Sequence, residues 1–150
     1  MISRVLIATD GSEHAIGAVD MAADIAGPAG AEVVVLHVMR HAGSGRVPEE
    51  LRALGRVEHI EVTEHEMLER VAQQIVDAAA KRLRARGLTK VATRIAVGDP
   101  AAVVVETARE SKADLIVIGR RGLGGIGSTL LGSVSLKVSQ IADTPVLTVK

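Results

Sequence analysis

The sequence predicts a single-domain α/β protein built on an open, five-stranded parallel sheet with helices on both faces. Short β-branched runs alternate with longer stretches of helical periodicity, which is the pattern of strands joined by crossover helices. Most of the strand-like runs are apolar at nearly every position, as expected for strands covered on both faces. The length of 150 residues suits one domain with one core, so we treat residues 1–150 as a single unit.

The predicted strands are short runs rich in Val, Ile, Leu and Ala. In chain order they are RVLIA (Arg4 to Ala8), EVVVLHV (Glu32 to Val38), KVATRIAV (Lys90 to Val97), DLIVI (Asp114 to Ile118) and PVLTV (Pro145 to Val149). A helical stretch or a polar segment separates each run from the next, which favours parallel rather than hairpin pairing.

The first two helices are marked by their ends as well as by their periodicity. Ser12 is a good N-cap for the first helix, which we expect to stop at Gly27-Pro28. The second helix is predicted from Thr63 to Arg86, and Gly87 follows it as a typical terminating residue.

The third helix opens with Asp99-Pro100, an N-cap followed by a residue that favours the first helical position. Ser133 is the expected cap of a fourth helix, in which Val134, Val138 and Ile141 repeat at helical spacing. We interpret the polar stretch between residues 39 and 61 as an insertion.

The composition excludes several classes of function. The 18 basic residues balance 18 acidic ones, so no general affinity for nucleic acid or for an anionic membrane is expected. There is no cysteine for a disulfide or a thiolate metal site, and no Phe, Tyr or Trp on which nucleic-acid bases could stack. The apolar run near the start is too short for a signal peptide or a membrane span, so we expect a cytoplasmic protein.

A glycine-rich segment without acidic residues, GRRGLGGIGSTLLGSVS, follows the fourth strand and suits phosphate binding. One interpretation is a dinucleotide fingerprint, because Gly122, Gly124 and Gly127 satisfy G-x-G-x-x-G. That fingerprint normally opens a two-strand unit whose second strand ends in an acidic residue, whereas only one strand follows here and Asp143 precedes it.

A P-loop is the second interpretation. Gly122, Gly127 and Thr129 fit G-x-x-x-x-G-K-[ST], but Ser128 stands where the lysine is required. Without that ammonium group the β and γ phosphates lose their main fixed positive charge.

The third interpretation is a wider pattern, G-x2-G-x9-G-S, formed by Gly119, Gly122, Gly132 and Ser133. It resembles the nucleotide-binding signature of the universal stress protein family. The resemblance covers the whole chain and includes TDGSEHA, LHV, GDPA, ADLIVIGRRGLGG, LLGSVS and DTPVLTVK, in that order.

The resemblance implies a Rossmann-like fold, similar to that of the adenine nucleotide alpha hydrolases, with strand order 3-2-1-4-5. It also implies bound ATP with a phosphate-bound Mg²⁺. Adenine would lie between Val38 and Ile118, and Asp10 would hold the adenosine end or influence the Mg²⁺. The implied binding residues are Ala8, Thr9, Asp10, Val38, Ile118, Gly119, Arg121, Gly122, Gly132, Ser133, Val134 and Ser135.

Physical chemistry supports this use of the segment. Gly119 and Gly122 allow close approach of the backbone to a ligand, and the start of the fourth helix attracts anions through its unpaired N–H groups. The hydroxyls of Ser133 and Ser135 can donate to phosphate oxygens, and Arg121 adds positive charge.

The other polar residues predict neither a metal site nor a catalytic one. His37 is interpreted as a packed histidine within its strand. His59 and His65 are six residues apart and so do not share a helical face. No Ser/His/Asp arrangement or carboxylate pair can be assembled, so we expect any ATP hydrolysis to be slow.

The predicted function is therefore that of an ATP-binding regulatory module of the stress response. The resemblance also implies a homodimer, formed by antiparallel pairing of the C-terminal edge strand, Pro145 to Val149, with its copy. Two alternatives remain open: a nucleotide-independent homodimeric scaffold, and a slow ATPase or other small ATP-using enzyme. The glycine spacing speaks against the first, and the lack of a glycine-rich loop after the first strand speaks against the second.

Overall fold

The computed structural model describes residues 1–40, 64–122 and 132–150. Within them the elements are β1 (Arg4–Ala8), α1 (Glu13–Ala29), β2 (Glu32–Met39), α2 (Glu64–Ala85), β3 (Val91–Val97), α3 (Pro100–Glu110), β4 (Leu115–Gly119), α4 (Ser133–Ile141) and β5 (Val146–Val149). The insertion expected at 39–61 lies almost wholly outside the described residues, as does the middle of the glycine-rich segment.

The five strands form one parallel sheet in the order β3-β2-β1-β4-β5, as the family resemblance implies. β1 lies at the centre, with Ala8 opposite Leu36 of β2 on one side and opposite Ile118 of β4 on the other. The chain therefore runs outward from β1 in one direction and later returns to extend the sheet in the other.

Alternate residues of each strand pack into two separate cores, because successive strand side chains point to opposite faces. Val5, Ile7 and Val117 pack with α1 and α2, whereas Leu6 and Ile118 pack with α3 and α4. Both faces of the central strands are thus buried, which explains why their sequences are continuously apolar.

Two helix ends differ from the sequence prediction. α1 continues through Gly27-Pro28 to Ala29, and Gly30 ends it in the left-handed conformation (φ 64°) with its N–H donated to the carbonyls of Ala26 and Gly27. The N-cap of α4 is Gly132, and Ser133 is the first helical residue rather than the cap. Asp99 caps α3 as predicted, since its Oδ2 accepts a hydrogen bond from Ala102 N–H at 3.0 Å.

Ion pairs join α1 to α2 on the outer surface. Arg82 Nε lies 2.6 Å from Asp20 Oδ1, while Arg86 contacts both Asp20 and Asp24. The hydrogen bond from Arg82 holds the pKa of the Asp20 carboxyl below its ordinary value, against the opposing effect of partial burial. Part of the attachment of α2 to α1 is therefore pH-dependent.

Candidate functional site

A cleft of about 580 Å³ lies at the carboxyl ends of β1, β2 and β4 and at the N-terminus of α4. The direction in which the chain adds strands reverses here, since β2 and β3 extend the sheet on one side of β1 and β4 and β5 extend it on the other. Open parallel sheets bind ligands at such switch points. The sequence-predicted binding residues all line this cleft: Ala8, Thr9, Asp10, Val38, Ile118, Gly119, Arg121, Gly122, Gly132, Ser133, Val134 and Ser135.

One part of the cleft is aliphatic. Val38 and Ile118, the residues predicted to sandwich a base, belong to the core between the sheet and the α3/α4 layer. Pro100 and Val104, from the start of α3, extend this wall. A flat apolar ring would find van der Waals contact here without any aromatic residue.

The turn after β1 is tied to β2 and to the start of α1. Thr9 N–H donates to Leu36 O at 2.9 Å, and His37 Nδ1 lies 2.8 Å from Thr9 O. A carbonyl only accepts, so the proton of this hydrogen bond is on Nδ1. Asp10 Oδ1 accepts from Ser12 N–H at 3.0 Å, which fixes the carboxylate at the rim of the cleft.

Gly119 at the end of β4 is needed for a reason that the sequence does not reveal. A Cβ placed on it would lie 2.7 Å from the carbonyl carbon of His14 and 2.8 Å from Ala15 N. These are backbone atoms of the first turn of α1, which cannot rotate away as a side chain can. The absence of a side chain therefore allows α1 to pack on β4, in addition to any approach of a ligand.

Gly122 and Gly132 also have intramolecular neighbours. A Cβ on Gly122 would meet Asp10 Oδ2, and one on Gly132 would lie 3.2 Å from Arg120 O and 3.3 Å from the Cα of Arg121. The described ends of the glycine-rich segment are thus packed against each other and against the β1 turn.

The peptide groups of Arg120 join the cleft to β5. Arg120 N–H donates to Val149 O at 2.6 Å, while Arg120 O accepts from Gly132 N–H at 2.7 Å and from Ser135 Oγ at 2.9 Å. Ser135 is buried and its hydroxyl donates within the protein, which differs from the sequence expectation that it donates to a phosphate oxygen. Arg120 itself is not among the described lining residues, whereas Arg121 is.

The N-terminus of α4 faces the cleft, and its N-cap residue is a glycine. Gly132 has no side chain, so it offers no side-chain acceptor to the first N–H groups of the helix. The hydroxyl-bearing Ser133 is exposed at the first helical position. Together these features leave an electropositive helix end beside the aliphatic wall, an arrangement that suits an anion attached to an apolar group.

Six further residues line the cleft that the sequence prediction did not include: Ala15, Leu36, His37, Arg40, Pro100 and Val104. His37 was interpreted as packed, and its ring is partly exposed and hydrogen-bonded at the cleft wall. Pro100 and Val104 were recognised only as parts of a helix. Their spacing of four residues, which sets them on one helical face, was the available signal.

Neither a metal centre nor a membrane helix is found in the described part of the chain. Among residues 1–40, 64–122 and 132–150, no three His, Asp or Glu side chains are grouped so that they could hold a metal ion. No helix in those ranges is long and apolar enough to span a bilayer.

Sheet order and cleft position together define a doubly wound α/β protein with its ligand cleft at the switch point. The family model for the universal stress protein family matches residues 1–150, and the chain belongs to that family. It is 34% identical to the universal stress protein YxiE of Bacillus subtilis over 158 aligned residues that cover all of both chains. It is 35% identical to a universal stress protein of Thermus aquaticus, again with full coverage of both.

A solved structure supports the same assignment. The crystal structure of a universal stress protein in complex with cAMP matches with a TM-score of 0.72 and 32% sequence identity, covering 99% of this chain and 97% of that one.

Proposed function

We propose that this protein binds ATP in the cleft and acts as a cytoplasmic, nucleotide-dependent regulatory module of the stress response. The observation that carries the proposal is the convergence of all twelve predicted binding residues on one cleft. The complex of a 32% identical relative with cAMP supports an adenine nucleotide as the class of ligand.

In this proposal the base lies between Val38 and Ile118, and the phosphates lie at the N-terminus of α4. The helix end supplies N–H donors and a partial positive charge, and Arg121 adds a formal one. Asp10 is held at the rim by Ser12 N–H, where it is suited to the ribose or to a Mg²⁺ carried by the phosphates.

Binding rather than catalysis is the proposed role. The titratable residues described in the cleft lining are Asp10, His37, Arg40 and Arg121. Asp10 and His37 already hydrogen-bond to the backbone of the β1 turn and of Ser12, which reduces their capacity to orient an attacking water. We therefore expect only slow hydrolysis of ATP.

The proposal includes a homodimer that pairs β5 with its copy. β5 is an edge strand, and the carbonyls of Pro145 and Val149 accept hydrogen bonds from Ile116 of β4 and from Arg120 directly after it. In a parallel ladder the alternate residues, Val146 and Thr148, then direct their N–H and C=O groups to the open edge. Such groups pair readily with another strand.

Isothermal titration of Mg-ATP into the protein, after acid extraction to identify and remove any bound nucleotide, tests the binding site. Ser133→Glu is the informative variant. A carboxylate at the first position of α4 suits the helix dipole, so folding is retained, but it repels phosphate. We expect ATP affinity to fall by about tenfold or more, equivalent to about 1.4 kcal/mol.

Gln140→Glu is the matched control, since it adds the same charge near the other end of the same helix. Equal ATP affinity in wild type and Ser133→Glu would rule out the phosphate position. A wild-type protein that releases no nucleotide and shows no heat or thermal shift with Mg-ATP would instead support the scaffold function.

A further inference from the structure

A second, polar compartment of about 450 Å³ adjoins the cleft, and we call it the annex. It lies between the end of β2, the turn before α3 and the first turns of α4. Its lining includes Arg40, Asp99, Pro100, Ser133, Val134 and Lys137. Arg40, Pro100, Ser133 and Val134 line both spaces, so the annex is continuous with the cleft.

The annex carries more positive than negative charge. Its described lining contains two cationic side chains, Arg40 and Lys137, and one carboxylate, Asp99. Asp99 Oδ2 accepts from Ala102 N–H at 3.0 Å and from Lys137 Nζ at 3.1 Å. The N-terminus of α4 adds partial positive charge at the boundary with the cleft.

The carboxylate of Asp99 positions Lys137 but leaves it able to donate further hydrogen bonds. The hydrogen bond from Ala102 N–H, followed by that from Lys137, holds the pKa of Asp99 below its ordinary value, so Asp99 stays ionised at neutral pH. An ammonium group has three donors, and Asp99 accepts one of them. Lys137 thus retains donors for a ligand while its direction is fixed.

We propose that the annex is an anion subsite for the terminal phosphates of the nucleotide, with Arg40 and Lys137 as the residues that favour ADP and ATP over AMP and cAMP. This rests on the nucleotide binding proposed above. A phosphate at the start of α4 lies beside Ser133 and Val134, which also border the annex, so further phosphates of the same chain extend toward both cations. AMP and cAMP carry a single phosphate, so they have no further phosphate to extend into the annex, where Lys137 lies outside the cleft lining.

The test compares AMP, ADP, ATP and cAMP by calorimetry for wild type, Arg40→Gln and Lys137→Gln. Arg70→Gln and Lys81→Gln are matched controls on the exposed side of α2, which borders neither compartment. Each annex variant is expected to weaken ATP binding by about 3- to 10-fold, as for the loss of one charge-assisted hydrogen bond. Lys137→Gln, whose residue lines the annex and not the cleft, should leave AMP and cAMP affinity unchanged. The controls should bind all four ligands as the wild type does.

Further measurements separate a local effect from a folding effect. Lys137→Arg keeps the charge and should retain most of the ATP affinity. A cooperative thermal unfolding transition in both Lys137→Arg and Lys137→Gln would show that both variants are folded. The wild-type preference for ATP over AMP should also shrink as salt is added, since it depends on solvent-accessible charges.

The outcomes distinguish the two proposals. If ATP and AMP affinities fall in parallel in Lys137→Gln, or if ATP affinity is unchanged in both annex variants, the subsite is refuted while the cleft remains a nucleotide site. If the wild type binds AMP or cAMP at least as tightly as ATP, the subsite is refuted in the same way. If the wild type binds none of the four, both proposals fail.

Discussion

Replacing Gly119 by alanine should destabilise the protein, although the added group is one methyl. The new Cβ would lie 2.7 Å from the carbonyl carbon of His14, whereas ordinary van der Waals contact begins at 3.4 Å. The first turn of α1 must therefore withdraw by about 0.7 Å. That turn carries Ala15, whose side chain is buried.

The magnitude follows from two opposing effects. Overpacking of a close-packed interior costs about 1–3 kcal/mol. Alanine restricts the unfolded chain more than glycine does, which offsets about 0.4–1 kcal/mol of this destabilisation. Gly119 does not have a positive φ, so no backbone strain is added. The expected net loss is about 1–2 kcal/mol in the free energy of unfolding.

Gly27→Ala provides the control, because it is the same substitution at a site without a packed neighbour. Gly27 lies in α1, and apart from its chain neighbours a Cβ there would meet nothing within 4 Å. Helix propensity favours alanine by up to about 1 kcal/mol, but the ring of Pro28 disfavours a Cβ on the helical residue before it, so we expect a stability within about 1 kcal/mol of the wild type. Urea unfolding followed by far-ultraviolet circular dichroism measures both variants, since the chain has no Trp or Tyr to report by fluorescence. A Gly119→Ala protein as stable as the wild type would refute the steric argument.

Two further predictions concern the helix layer and the sheet edge. Arg82→Gln should lower the free energy of unfolding most near neutral pH. The lowered pKa of Asp20 stabilises the fold above the ordinary pKa of aspartate, and this contribution is lost as the pH falls through the lowered value. Urea unfolding at a series of acid pH values measures the effect, and a difference from wild type that persists in strong acid would contradict the linkage. Thr148→Pro removes an N–H from the open edge of β5 while keeping the ladder to β4, so it should shift the protein from dimer to monomer in sedimentation velocity. Thr93→Pro, on the opposite edge strand β3, is the control and should not change the oligomeric state. A Thr148→Pro protein that still sediments as a dimer would exclude this interface.

The strands could be predicted because burial on both faces leaves a continuous apolar signal that needs no partner to be recognised. β1 was predicted with its correct bounds, and the other strands within one residue at each end. The end of α1 was predicted too early. Pro28 lies in the last turn, where it removes one hydrogen bond, and Gly30 supplies the actual left-handed stop.

The site was predicted less completely, because parts of it depend on the packing of distant segments. The sequence pattern identified Val38 and Ile118, but Arg40 and Val104 enter the cleft only through the placement of α3 beside the end of β2. Likewise, Gly119 fits the glycine pattern, yet its contact with the first turn of α1 depends on two segments more than a hundred residues apart. The spacing of residues along the chain does not indicate that these two segments meet in space.

The central position of β1 has a consequence for the order of folding. The first strand in the chain must wait for β4, and the hydrogen bond from Arg4 N–H to Asp114 joins residues 110 positions apart. Closing so long a loop is entropically costly and slow compared with helix formation or the pairing of nearer strands. Since the cleft needs the ends of both β1 and β4, the capacity to bind a ligand should appear late in refolding, with the pairing of these strands rather than with the gain of helix.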